Sequence, residues 1–291
     1  MKELLILSGK GGTGKTTIAS AFIKLANNKA YADVDVDAPN LHLVMNQVLE
    51  PKRSDYYGLD KAEIDLSLCT ECDLCREHCR FDAISYNDVY EIDYFACEGC
   101  GVCEAICPVD AIALKPAIAG ELMLYEEDEA VFSTAQLRMG SGNSGLLVTD
   151  VKKQLKSGVD KLNVAVEYAI IDGSPGIGCP VIASLNGVAM VLIVAEPSIS
   201  GISDMERIIR TAEGFQSKIA VCINKYDTNI KNTEKIKSYC KSNNLPFVGE
   251  IPFDKDAVRA INNGQTIVDI ECSSGEAVKG VFAETIKMLL N

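Results

Sequence analysis

Gly9-Lys-Gly-Gly-Thr-Gly14-Lys15-Thr16-Thr17 follows the apolar run Glu3-Leu-Leu-Ile-Leu-Ser8 and leads into Ile18-Ala-Ser-Ala-Phe22. The run predicts a buried parallel strand, and Ile18, Ala21, Phe22 and Leu25 share one face of a helix over 14–28. G-x-x-x-x-G-K-[ST] between a strand and a helix is the context in which this pattern cradles phosphates. Gly9, Gly11, Gly12 and Gly14 free the backbone N–H groups of the loop, Thr13 included, to turn inward. The helix N-terminus at Thr16 and Thr17 adds partial positive charge. Lys15 is then placed to reach β- and γ-phosphates, and Thr16 to ligate Mg²⁺.

Outward from this loop the pattern is an alternation. Strands are predicted near 166–171, 188–195, 219–224 and 247–251, with helices near 205–213, 233–240 and 255–262. Such alternation implies an α/β fold whose mostly parallel sheet is covered by helices on both faces. A final helix over 276–290 carries apolar residues at 278, 281, 282, 286 and 289, a stripe suited to a core.

The alternation is interrupted by a repeat. Cys69, Cys72, Cys75 and Cys79 recur 28 residues later as Cys97, Cys100, Cys103 and Cys107, and Asp82-Ala-Ile84 recurs as Asp110-Ala-Ile112. The domains expected are therefore residues 1–60 with 118–291, and an inserted module at 61–117. Twelve cysteines with no export signal point to metal ligation rather than disulfides. Zinc takes four ligands, commonly two C-x-x-C pairs, so eight cysteines in this spacing point away from it.

Charge narrows the partners. With 28 Lys+Arg against 41 Asp+Glu, a formal net charge of −13, the chain repels phosphate backbones and anionic lipid surfaces, so neither nucleic acid nor membrane is expected. No run spans a bilayer, and a cytoplasmic location is expected.

Lys10, at the second position of the phosphate loop, makes the stretch resemble the MinD/Mrp/nitrogenase-iron-protein class of P-loop ATPases. In that class such a lysine reaches the partner's phosphates across a dimer. The resemblance implies ATP and Mg²⁺, and a homodimer or a heterodimer with a paralogue. Tyr31-Ala-Asp33-Val-Asp35-Val-Asp37 puts three acids at a period of two, on one face if a strand persists. By resemblance to the family's switch I, Asp35 orients or activates water and Asp33 supports the magnesium shell; Asp37 fits a solvated turn as well. Asp172-Gly-Ser-Pro-Gly176 looks like the family's switch II, with Asp172 holding Mg²⁺ through water. Asn224-Lys-Tyr-Asp227 matches the N-K-x-D motif of GTPases, but the class reads adenine with an Asn here, and Pro252 resembles the residue packed on the base. ATP is favoured over GTP.

C-x-x-C-x-x-C-x-x-x-C, twice, is the bacterial two-cluster ferredoxin pattern. The resemblance implies an inserted α+β ferredoxin-like domain with two [4Fe-4S] clusters, one held by Cys69, Cys72, Cys75 and Cys107, the other by Cys97, Cys100, Cys103 and Cys79. Cys107 precedes Pro108 as the pattern expects, whereas Cys79 precedes Arg80. Cys179 lies at the offset from Asp172 of the iron protein's bridging ligand but has no second cysteine beside it. Cys222, Cys240 and Cys272 read as packed thiols, and His42 and His78 have no catalytic partners. The function implied is an ATPase switch coupled to electron transfer, partnered by a redox protein. The alternative is a carrier or maturation factor acting on an apo-metalloprotein. A spatial organiser like MinD is disfavoured by a last helix whose only cations are Lys279 and Lys287.

Overall fold

The computed structural model describes residues 1–47 and 49–291. In chain order the strands are β1 (Lys2–Leu7), β2 (Ala30–Asp33), β3 (Lys52–Tyr57), β4 (Lys61–Ile64), β5 (Ile84–Asn87), β6 (Val89–Ile92), β7 (Ile112–Lys115), β8 (Ile118–Glu126), β9 (Val131–Leu137), β10 (Tyr168–Asp172), β11 (Met190–Ala195), β12 (Lys218–Asn224) and β13 (Phe247–Ile251). The helices are α1 (Lys15–Ala26), α2 (Leu41–Val44), α3 (Leu74–Glu77), α4 (Val102–Ile106), α5 (Ser144–Val159), α6 (Cys179–Leu185), α7 (Ile199–Ala212), α8 (Ile230–Ser242), α9 (Lys255–Asn262) and α10 (Ser273–Leu290).

The chain divides into two compact units. The first comprises Met1–Arg53, Leu122–Ala135 and Gly145–Asn291. Its sheet runs β13-β12-β11-β1-β10-β2, all parallel, and β9 continues it parallel to β2. Leu4, Leu5, Ile6 and Leu7 are each 0% exposed although successive residues face opposite sides, so both faces of β1 are covered. Continuous apolar strands such as Met190-Val-Leu-Ile-Val-Ala195 answer to that burial. The apolar stripe of α10 is core: Val278, Val281 and Leu289 are buried, and Phe282 meets Phe22 edge-on at 5.2 Å. Phe22 is wholly buried, so Phe22→Ala is expected to cost about 3–5 kcal/mol, read as a lowered urea midpoint with an unchanged slope.

Several elements differ from the sequence-based expectation. β8, β9, α5 and α6 had no predicted counterpart; β8 and β9 mix Gly, Ser, Thr and Gln among buried apolar residues, which blurs the period-2 signal. Helix α7 starts at Ile199 rather than near 205, because Ser198 caps it by accepting the Gly201 N–H at 3.0 Å. Strand β2 stops at Asp33, so Asp33, Asp35 and Asp37 do not share a strand face: the first is buried, the second half-buried and the third exposed.

The second unit comprises Ser54–Glu121 and Gln136–Ser144, wider than the 61–117 span marked by the repeat. Inside it the 28-residue repeat becomes a pseudo-two-fold. β4 pairs antiparallel with β7, and their repeat equivalents β6 and β5 pair likewise. Asp65 donates its N–H to the Ala111 carbonyl at 2.7 Å, and Asp93, its equivalent, donates to Ala83 at the same distance. Left-handed backbone recurs at Glu71 and Gly99, at Asp73 and Gly101, and at Asp82 and Asp110. Each half therefore closes on the other, and a small core of Ala62, Ala83, Cys97 and Ile112 lies between them.

Candidate functional site

The phosphate loop bends where its glycines permit. Gly12 (φ 78°) and Gly14 (φ 95°) are left-handed, and a Cβ on Gly14 would lie 2.3 Å from the Asn224 side chain. Gly9 presses on α7, with a Cβ there reaching within 2.1 Å of the Asp204 Cβ, whereas Gly11 has open space around it. Ser8 and Thr13 both donate to the Lys10 carbonyl at 3.0 Å, closing the turn. The loop opens on a cleft of about 580 Å³ whose walls include Gly12, Lys15, Thr16, Asp35, Asn40 and Ser174.

Behind the loop lies an ion pair. Lys15 Nζ donates to Asp172 Oδ1 at 2.7 Å, and Thr16 Oγ1 donates to Asp172 Oδ2 at 2.6 Å. Parallel pairing of β1 with β10 carries Asp172 to this position from 157 residues away. Burial alone would lower the Lys15 ammonium, but Asp172, Asp33 and Asp35 outweigh it and hold Lys15 above the ordinary lysine range.

Asp33 serves the backbone. Its Oδ1 accepts the Asp35 N–H at 3.0 Å, and its Oδ2 accepts those of Asn40 and Leu41 at 2.9 and 3.0 Å. The carboxylate thus staples the 34–41 loop to the end of β2. Burial first, then the Asp172 charge, pushes Asp33 up to about 7 against the opposing pull of Lys15. Asp35 rises to about 6, chiefly by burial, with Lys15 opposing and Asp172 and Asp37 adding to the rise. Two contacts join this loop to the start of the 172–178 segment: Val34 N–H to the Asp172 carbonyl at 2.9 Å, and Ser174 Oγ to the Val34 carbonyl at 2.7 Å.

Lys10 turns toward α7 within its own chain. Its Nζ lies 3.3 Å from Ser200 Oγ, 3.4 Å from Ser198 Oγ and 3.7 Å from Glu196. Beside the loop a second pocket, about 160 Å³, is lined by Gly14, Thr17, Asn224, Pro252 and Phe253 among others. Asn224 Nδ2 donates to the Thr13 carbonyl at 2.8 Å.

In the second unit the cysteines line two cavities. Cys69, Cys72 and Cys75 share one with Cys107; Cys97, Cys100 and Cys103 share the other with Cys79. Burial raises the Cys75 and Cys103 thiols above the usual range. Among the described residues, no three His, Cys, Asp or Glu side chains are gathered for a single metal ion. One tetrahedral ion with metal–sulfur bonds of about 2.3 Å would demand sulfurs within about 4 Å of each other.

The remaining cysteines and histidines are ordinary. Burial pushes Cys222 up to about 12 and Cys240 to about 11. Cys272 accepts the Gly275 N–H at 3.3 Å to cap α10, and Cys179 is exposed at the start of α6. His78 is exposed with Nδ1 2.9 Å from the Leu74 carbonyl, and burial lowers His42 below the usual histidine range. No described helix is long and apolar enough to cross a membrane.

A glycine-rich loop between β1 and α1, facing a carboxylate at the end of a neighbouring parallel strand, defines a P-loop nucleotide-binding fold. Over residues 4–267 the chain matches CbiA, the CobQ/CobB/MinD/ParA nucleotide binding domain, and it belongs to that family. It is 32% identical over 286 residues to the Methanocaldococcus jannaschii protein MJ0578, covering 96% of this chain and 95% of that one. MJ0579 of the same organism is 26% identical over 300 residues, covering 92% and 93%. The septum site-determining protein MinD of Pyrococcus horikoshii, solved with Mg-ADP, superposes with a TM-score of 0.58 at 17% identity, covering 99% of this chain and 96% of that one.

Proposed function

We propose that this chain is an ATP-hydrolysing dimer switch coupled to electron transfer through two [4Fe-4S] clusters in the cytoplasm. The observation that carries the reading is the pair of cavities, each walled by three cysteines of one repeat and the fourth of the other. A cubane takes four thiolates, and each cavity is lined by four cysteines. Cys69, Cys72, Cys75 and Cys107 would hold one, and Cys97, Cys100, Cys103 and Cys79 the other, in a ferredoxin-like domain at about 61–117. Bound clusters supply one-electron chemistry.

In the first unit, ATP binding requires an exchange of partners. Lys15 leaves Asp172 for the β- and γ-phosphates, and Thr16 and Asp172 would then hold Mg²⁺, the first directly and the second through water. The backbone from Gly9 to Thr17 wraps the phosphates. Asn224 keeps one amide hydrogen and one lone pair free of its present partners, enough to read adenine, with Pro252 against the base. Lys10 leaves Ser198 and Ser200 for the partner's phosphates when two copies, or this chain and a paralogue, close together. Two similar proteins in one organism, MJ0578 and MJ0579, are in keeping with paired paralogues.

Asp35 orients the attacking water and acts as an ionised carboxylate. Lifted to about 6, it is ionised only above that pH, so hydrolysis should rise through pH 6 and then level. Asp35→Asn is expected to lower kcat by about 10²-fold and to remove that acid limb, with KM little changed. Steady-state phosphate release from pH 5 to 8.5 checks both.

The reading as a whole is tested by electron paramagnetic resonance on anaerobically purified, dithionite-reduced protein with quantified iron, with and without MgATP. About eight irons per chain and a spectrum altered by MgATP support it; protein anaerobically reconstituted with iron and sulfide that holds no iron overturns it. A second reading, a carrier or maturation factor handing a cluster to an apo-metalloprotein, is favoured by the exposed Cys72 and Cys100. Loss of iron to an apo-acceptor during ATP turnover would select it over a redox partner.

A further inference from the structure

Asn224-Lys225-Tyr226-Asp227 has the pattern by which many GTPases read guanine, yet here the Asn224, Lys225 and Asp227 side chains are engaged by neighbouring loops. Lys225 Nζ donates to the Gly12 carbonyl of the phosphate loop at 2.9 Å. Its backbone is left-handed (φ 57°), a conformation that costs a non-glycine residue and that a merely solvated lysine does not need. The Lys225 carbonyl is tied in turn by Thr228, through its N–H at 3.1 Å and its hydroxyl at 2.7 Å. Asp227 Oδ1 accepts the Phe253 N–H at 2.7 Å, and Asp227 does not line the 160 Å³ pocket. The two loops held in this way, at Gly12 and at Phe253, both line that pocket.

We infer that Lys225 and Asp227 are positioning residues that bracket the base pocket: Lys225 holds the phosphate-loop wall, Asp227 holds the Pro252-Phe253 wall, and neither reads guanine. The inference rests on the reading that this pocket takes the base of a nucleotide. Bracketing sets the gap between the walls and acts on every purine nucleotide alike, whereas guanine reading needs the Asp227 carboxylate free to accept two N–H groups of the base.

The experiment is titration of ATP and GTP, with Mg²⁺, into the full chain and four variants. Asp227→Asn keeps a carbonyl oxygen to accept the Phe253 N–H, so both affinities should stay within about twofold of the parent. Asp227→Ala removes the acceptor and should weaken ATP and GTP together by about three- to tenfold, leaving their ratio unchanged. Lys225→Met should weaken both by a similar factor, and Lys225→Arg, which restores the donor, should recover most of it. The inference is overturned if Asp227→Asn changes the ATP-to-GTP ratio by more than about threefold, or if Asp227→Ala and Lys225→Met leave both affinities untouched. The parent's own preference is a separate readout. GTP bound tighter than ATP sinks the ATP assignment while leaving the bracket intact, provided that Asp227→Asn preserves the ratio.

Discussion

Lys15→Ala is expected to reduce hydrolysis by at least about 10³-fold and to abolish measurable MgATP binding, because charge-assisted hydrogen bonds to phosphate are worth about 1.5–3 kcal/mol each. The same change should destabilise the nucleotide-free protein. Asp172 is 0% exposed and Lys15 is its cationic partner at 2.7 Å. Removing one member of a buried pair costs about 3–5 kcal/mol, since an uncompensated charge remains. Part of that cost is relieved when Asp33, pushed up to about 7, takes up a proton, so the loss should be larger at pH 8 than at pH 6. Urea melts at the two pH values together with ATP titrations check the prediction. Lys15→Arg separates the two roles: it keeps a charge beside Asp172 and recovers stability, while the bulkier guanidinium still blocks phosphate binding. An alanine variant as stable as the parent would show that the Lys15–Asp172 pair does not support the fold.

The second large effect concerns iron. Cys107→Ala is expected to lower the iron content from about eight per chain to about four, and so is Cys72→Ala. The pairing shows in the double variants. Cys72 and Cys107 line one cavity, so removing both should still leave about four irons; Cys72 and Cys79 line different cavities, so removing both should leave almost none. Ligand sets taken in simple chain order, with Cys79 grouped with Cys69, Cys72 and Cys75, predict the reverse. Iron assays and the reduced spectra of the four variants decide between them.

Both predictions use contacts that differ in how far spacing along the chain foretells them. The phosphate loop was legible because its signal is local: glycines at 12 and 14 are required by left-handed backbone, and Lys15 and Thr16 follow at once in α1. β10, β11 and β12 were legible from apolar runs at their centres. β8 and β9 were not, since their buried faces include Gly120, Ser133 and Thr134. Helix α7 was read six residues short because its first six residues, Ile199 to Asp204, bury only Gly201 and lack an apolar period; the capping Ser198 was the available signal. Asp33, Asp35 and Asp37 would share one face only if the strand persisted, and its end at Asp33 depends on what that carboxylate binds. It finds the N–H groups of Asp35, Asn40 and Leu41, and the chain turns around it.

By itself the sequence determined the loop that meets phosphate, the alternation that makes a parallel sheet, and the repeat that spaces eight cysteines in two sets of four. These depend on neighbours within a turn or a strand, where covalent spacing dictates which groups share a face. The tertiary structure decided the rest: that Lys15 pairs with Asp172, that Asp33 holds the backbone, and that Lys225 and Asp227 bind two loops that line one pocket. Such contacts join residues up to 213 positions apart, as between Lys225 and Gly12. Only the order and register of the parallel strands bring them within hydrogen-bonding distance.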